Sequence, residues 1–381
     1  MGFDRFYIAD NMSDDGTSEL LAALDRLNLL RCVPFPTPEG HPPQFLAYEK
    51  LLNEHACNDE FVAIIDADEF VMPVGDCRDA RAVLEPLFAD PDVGAVALNW
   101  ACYGSSWRLN RTAGFVMERF ARRSVQGFGP NHHYKTILRR VAFDRLLDNP
   151  HQIGLKVGYR YVRTDGNDVV VHGKLGRGLS NDVLWDGLRV NHYLVKSRQE
   201  FEENKRPKGR SSVVGGTKGE RYFLGHDKND IRDAPPEWLV GAVRKEVASI
   251  RDALATIGVE APPEPNEPPL FGRPFADFKV HVDSVDERDG RVVVSGWAMH
   301  WSGLPPVSLA LEVGGRRHLF LGYEHKRRGD LVRAFPMACD HCGFELVAPL
   351  DPGQSSQVKV FAGYGAETPF GPFSLGKAAT S

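Results

Sequence analysis

Cysteine is scarce in this chain: six in 381 residues, at positions 32, 57, 77, 102, 339 and 342. That is too few for a disulfide framework, and the expectation is a reducing compartment, with the cytoplasm as default. Long apolar runs are missing too. No stretch approaches the roughly 18 apolar residues of a membrane-spanning helix. The first twenty residues, MGFDRFYIADNMSDDGTSEL, put acids where a signal peptide needs a basic end and an apolar stretch. Nor does one sign of charge dominate: 46 basic against 51 acidic residues give a net charge of -5. No general electrostatic attraction to nucleic acid follows, so any phosphate binding must be local. What is present, 42% hydrophobic and 25% charged residues, excludes a disordered composition.

Along the chain, residues 6–9, 31–35, 61–65 and 93–99 read as strands, and 18–28, 44–55 and 78–89 as helices. The alternation predicts an α/β fold with a doubly wound, mostly parallel, Rossmann-like sheet. The run FVAII at 61–65 shows no polar alternation, as in a strand covered on both faces. A helix over 236–257 closes this domain, which spans 1–260. Residues 261–274 hold six prolines in fourteen and read as a stiff spacer. Short strands separated by turns then predict an all-β sandwich over 275–381.

The strongest chemical signal is FVAIIDADEF at 61–70, an apolar strand ending in Asp66, Asp68 and Glu69. Ligands of open α/β sheets bind beyond the carboxyl ends of strands, and acids at i and i+2 can share a hard cation such as Mg²⁺ or Mn²⁺. The plainer alternative is that these acids only open a turn. The loop Asp10-Asn11-Met12-Ser13-Asp14-Asp15-Gly16-Thr17 permits helix capping by Asp15 or Thr17, a nucleotide contact by Asp10, or both. Residues 189–221 hold nine Lys or Arg against four Glu, with glycines between, and read as a basic lid over a diphosphate or as a solvated loop. Cys339-Asp340-His341-Cys342 suggests zinc, but a structural zinc needs four ligands and no second pair has suitable spacing.

FDRFYIADNMSDDGT and IIDADEF, followed by NWACYGSS, ERF, KTILR, PH and NHYLVKSRQEF, resemble the nucleotide-sugar glycosyltransferases of the GT-A fold, in the family 2-like and family 92 branch. The resemblance covers roughly residues 2–235. It implies a metal-dependent, inverting transfer from a nucleotide-sugar, UDP-sugar first, to a glycan or lipid-linked acceptor in polysaccharide biosynthesis. It makes Asp66, Asp68 and His192 the metal ligands, His192 favouring Mn²⁺ over Mg²⁺. Donor contacts fall to Asp10, Asn11, Asp14, Lys135, Lys205, Arg206 and Arg210, and acceptor-side contacts to His151 and Trp100. Glu118, then Glu69, are the candidate catalytic bases. The motifs VSGWA and GFEL are similar to β-sandwich appendages of bacterial glycosyltransferases, where Trp297, Trp301 and Tyr323 are candidates for stacking on sugar, with core packing expected of at least one.

The family pattern opens with a further strand carrying Arg-Asn-Glu, which this chain does not show before FDRFYIADN. Met1 is therefore expected to be an internal start. Two other functions compete. One is a catalytically silent carbohydrate-binding scaffold. The other is a sugar-phosphate nucleotidyltransferase, which would call for a Gly-rich triphosphate loop that is not found near the first strand. No nucleic-acid partner and no transmembrane segment are expected, and peripheral membrane association stays open.

Overall fold

The structure, a computed structural model, describes residues 1–37, 42–147, 149–174, 176–208, 218–260, 278–300, 303–306, 308–321, 323–335, 338–350, 357–362 and 369–374. The expected spacer at 261–274 and the candidate residue Arg210 lie outside the described residues. Two compact units emerge. The first comprises Met1–Gly104, Gly114–Val195 and Glu203–Glu264, and the second Ser105–Ala113, Lys196–Glu202 and Pro265–Ser381.

The first unit begins with β1 (Tyr7–Asp10), α1 (Thr17–Arg26), β2 (Arg31–Pro34), α2 (Pro43–Lys50), β3 (Phe61–Ile64), β4 (Glu69–Pro73), α3 (Ala80–Phe88) and β5 (Val93–Tyr103). Their order is that of the apolar runs and helical periodicities. In α3, Ala80, Leu84 and Phe88 recur every four residues and are buried. Asp79 caps this helix by accepting from the Arg81 N–H at 3.0 Å. Helix α1 is entered differently: Gly16 is its N-cap at φ 88°, with no side-chain cap. The Asp15 carboxylate instead accepts from the Thr17 N–H at 3.2 Å. All eleven residues of β5 are buried, which makes it the spine of the unit.

The expected mostly parallel sheet is in fact mixed. β1 and β2 are parallel in a two-stranded sheet of their own. In the eight-stranded sheet, β5 runs parallel to Arg160–Val162 and to Leu188–Tyr193 but antiparallel to Tyr134–Arg139. β3 is antiparallel to Tyr134–Arg139, and β4 to Leu188–Tyr193. Two later strands of six residues, Tyr134–Arg139 and Leu188–Tyr193, insert between the early ones, β3 and β5 in the first case and β5 and β4 in the second. β3 is also not covered on both faces: Phe61 and Ile65 are each 40% exposed. A cavity of about 1860 Å³ has residues 6–9 on one wall and 61–65 on another.

The second unit holds two four-stranded antiparallel sheets. One pairs Phe278–Arg288, Arg291–His300, Gly343–Pro349 and His325–Lys326 in that order; the other pairs Arg316–Leu321, Ser308–Val313, Gln357–Ala362 and Pro369–Ser374. Alternation places Val292, Val294, Leu309, Leu311, Phe344 and Leu346 inside. Tyr323, a candidate for stacking on sugar, is buried with its hydroxyl donating to the Pro306 carbonyl at 3.0 Å. Trp301 lies outside the described residues.

Candidate functional site

The turn between β3 and β4 carries Asp66 and Asp68, and Glu69 opens β4. β4 pairs with Leu188–Tyr193 so that Glu69 lies opposite His192, and the same strand sets His192 opposite Cys102 of β5. A residue far along the sequence thus reaches the acidic turn through strand register alone.

Asp68 and His192 converge. The His192 Nε2 is 3.6 Å from the Asp68 Oδ1, and Lys205 forms an ion pair with the other oxygen of the same carboxylate. Burial would raise Asp68, but His192 and Lys205 outweigh it and hold the carboxyl well below its ordinary range. On the far side of the imidazole, His192 Nδ1 faces Glu69 Oε1 at 3.8 Å, and neither atom has a hydrogen-bond partner among the described residues.

Asp66 is committed elsewhere. One oxygen accepts from Gln44 Nε2 at 2.7 Å and from the Tyr48 hydroxyl, and the other meets Lys135 Nζ at 3.0 Å. Lys135, 1% exposed, also lies 3.2 Å from Glu69 Oε2, which accepts from the Asp66 N–H at 2.9 Å. Burial raises the Glu69 pKa. It opposes the charged form of Lys135, yet Tyr48, Glu69 and Asp66 together raise that ammonium's pKa above its ordinary value. Lys135 is therefore an internal counter-ion and does not line the large cavity.

An aromatic wall completes the site. The Trp100 ring stacks on His133 at 4.7 Å and meets His151 and His192 edge-on at 4.8 and 4.2 Å between centroids. The Trp100 Nε1 and His151 Nδ1 atoms are buried without a hydrogen-bond partner among the described residues. The Pro130 carbonyl lies 3.0 Å from His133 Nδ1 and accepts its hydrogen, which leaves Nε2 as the lone-pair nitrogen. Burial lowers His133 to about 4 and His151 well below the usual imidazole range. Asp66, Asp68, Glu69, Trp100, His133, His151, His192 and Lys205 all line the large cavity.

Several expected residues lie elsewhere. Glu118 forms an ion pair with Arg244 and does not line the cavity, so the structure does not bring the first candidate base to the acidic turn. Glu69, the second, is fully buried and tied to Lys135. Asp10 is turned into its own loop, accepting from the Ser13 hydroxyl at 2.7 Å and from Ser18. Those hydrogen bonds overcome the upward pull of burial and lower its pKa. Asn11 reaches the cavity while accepting from the Thr37 hydroxyl at 2.7 Å. Asp14 and Arg206 are exposed and do not line it. Residues that the motifs did not announce are Gln44, Tyr48 and His133. Gln44 and Tyr48 stand four apart on α2, hence on one face, and that spacing was the available signal.

The expected three-ligand set is not assembled: Asp66 is saturated, and among the described residues no third Asp, Glu, His or Cys joins Asp68 and His192. The 3.6 Å gap between Asp68 Oδ1 and His192 Nε2 is too long for a hydrogen bond. Two ligands each about 2.1 Å from one shared ion span such a gap.

No protein-family profile matches the chain. It is similar to a glycosyltransferase family 92 protein of rice, Oryza sativa subsp. japonica, at 28% identity over 206 residues. The match takes in 53% of this chain and 30% of the rice protein, so the chain spans well under half of that relative's length.

Proposed function

We propose that this protein is a glycosyltransferase that moves a sugar from a nucleotide-sugar, a UDP-sugar first, to a hydroxyl of a glycan or lipid-linked acceptor, with a divalent cation at Asp68 and His192. The observation that carries the proposal is the convergence of that carboxylate and imidazole on one cavity beside an aromatic wall. The similarity to the rice family 92 protein supports glycosyl transfer as the general chemistry.

When bound, the cation would neutralise the donor diphosphate as it leaves. The chain's own residues do the rest. Asp68 and His192 would hold the cation, Mn²⁺ suiting the imidazole better than Mg²⁺. Asp66, saturated by Gln44, Tyr48 and Lys135, fixes the turn that presents Asp68. Lys205 is placed to pass from Asp68 to a diphosphate oxygen. The buried indole N–H of Trp100 is a donor for a sugar hydroxyl, and His151 offers a second polar contact beside it. In an inverting displacement the acceptor oxygen bonds to the anomeric carbon, the bond to the diphosphate breaks with its electron pair, and the hydroxyl proton passes to a neighbouring base.

Calorimetric titration of UDP with and without Mn²⁺ tests this, on the wild type and on Asp68→Asn and His192→Ala. Manganese-dependent binding lost in both variants is expected, followed by turnover in a screen of UDP-sugars. Wild-type binding of UDP that ignores Mn²⁺, or no binding at all, overturns the proposal.

A further inference from the structure

A second cluster of metal-ligating side chains stands in the other unit, in the turn between the helix Gly329–Ala334 and the strand Gly343–Pro349. The donor atoms of Cys339, Asp340 and His341 lie within 4.8 Å of one another. Cys342, fully buried, follows next along the chain but is not among these gathered donors. Three donors are thus brought together in one turn, with a further thiol adjacent in sequence.

The turn is held by its backbone. The Cys339 N–H donates to the Gly303 carbonyl at 2.7 Å, and the Arg328 N–H to the Asp340 carbonyl. The His341 carbonyl lies 3.1 Å from His325 Nδ1. The His341 N–H points at Cys339 Sγ, 3.4 Å away. The Cys342 thiol donates to the same Gly303 carbonyl, 3.5 Å away. His341 Nδ1 and Asp340 Oδ1 share a hydrogen at 2.6 Å. A cation could take that hydrogen's place. Arg327 is the cation now nearest, 3.8 Å from Asp340 and 3.5 Å from His341 Nε2, on a side chain 74% exposed that is able to swing away.

We propose that Cys339, Asp340 and His341, joined by Cys342 as the fourth ligand on binding, form a site for a thiophilic divalent cation of the zinc class. Two sulfurs, one imidazole and a carboxylate suit tetrahedral Zn²⁺, whereas Mg²⁺ and Ca²⁺ take oxygen donors. The site is distinct from the Asp68–His192 pair, which contains no thiol, and does not depend on the activity proposed above. The turn gathers three of the four donors that a structural zinc needs, and the Cys342 thiol, next along the chain, is the residue that would complete the set on binding.

Cobalt substitution tests it on the full chain, reduced and handled without oxygen. One equivalent of Co²⁺ is expected to give a thiolate charge-transfer band and the strong visible bands of tetrahedral cobalt. These should persist in Asp68→Asn. They should vanish in Cys339→Ser, and in His341→Gln, which keeps a polar side chain if the serine variant folds poorly. Zn²⁺ should compete, with affinity falling in either variant by more than the about 10- to 100-fold that loss of an outer partner costs. Absence of the charge-transfer band in the wild type overturns the proposal. So does its survival in Cys339→Ser, or a Cys339–Cys342 disulfide in protein freshly purified without oxygen.

Discussion

Lys135 concentrates the physics of the acidic turn in one side chain. It is 1% exposed and lies between two carboxylates, so replacing it by an apolar residue leaves Asp66 and Glu69 buried with their main counter-charge gone. Breaking a buried pair on one side costs about 3–5 kcal/mol. Urea denaturation of Lys135→Met should show a loss of that size, and adding Glu69→Gln should recover part of it because one uncompensated charge disappears. His133 sets a pH dependence. Its folded pKa, about 4, lies below the unfolded value of 6.5, so the folded state favours the neutral ring. Its contribution is fully present above pH 6.5 and is lost as pH falls toward 4. Two and a half units correspond to about 3 kcal/mol at the limit. Stability measured from pH 7 to 4 should fall less steeply in His133→Asn, which cannot take up the proton. That Asp68 and His192 come together was legible as an apolar strand's acidic end and a distinctive later motif. The placement of Lys135 and Glu118 was not, because a motif names residues and not the direction their side chains take.

At the scale of elements, the early strands and helices were readable because their periodicity is local. The mixed sheet was not, because strand direction depends on which distant segments pair. Tyr134–Arg139 enters antiparallel between β3 and β5, and no pattern within six residues announces that. The segment Phe201–Lys205 illustrates what an element can do here. It ends in Lys205, whose ammonium sits on the Asp68 carboxylate that the proposed cation would use. Ammonium and metal then compete for one ligand. Removing the ammonium should strengthen Mn²⁺ binding by about 1 kcal/mol, roughly fivefold in Kd. Titration of Lys205→Gln with Mn²⁺, followed by electron paramagnetic resonance, checks this; unchanged or weaker binding would show that Lys205 is no competitor. A strand in the second unit offers a stability test. At Gly296 of Arg291–His300, an added Cβ would lie 2.1 Å from the His281 carbonyl oxygen, opposite the bulge between Val282 and Ser284. Backbone cannot yield as a side-chain tip does, so Gly296→Ala should cost upwards of about 3 kcal/mol in thermal unfolding.

At the scale of the whole molecule, proline content suggests a spacer over 261–274, but the two compact units are not drawn by one boundary, since Ser105–Ala113 and Lys196–Glu202 fall in the second. Composition could not show that Ser105–Ala113 and Lys196–Glu202 join the second unit, since that membership rests on contacts between segments far apart in the chain. Trp107 shows why the first of these segments matters. It adopts φ 58°, a conformation disfavoured for a bulky side chain. It is nonetheless buried, its indole stacked on His325 with 3.5 Å between ring centroids. The packing within the second unit outweighs the backbone cost. Truncating a buried Trp to Ala removes about 3–5 kcal/mol. If the units unfold separately, calorimetry of Trp107→Ala should lower the transition of the β-rich unit by an amount of that order. Mn²⁺ binding at Asp68 and His192, which belong to the other unit, should persist at the temperature of assay. A variant that loses both together would mean that the chain unfolds as one cooperative body, and that residues 105–113 serve the first unit as much as the second.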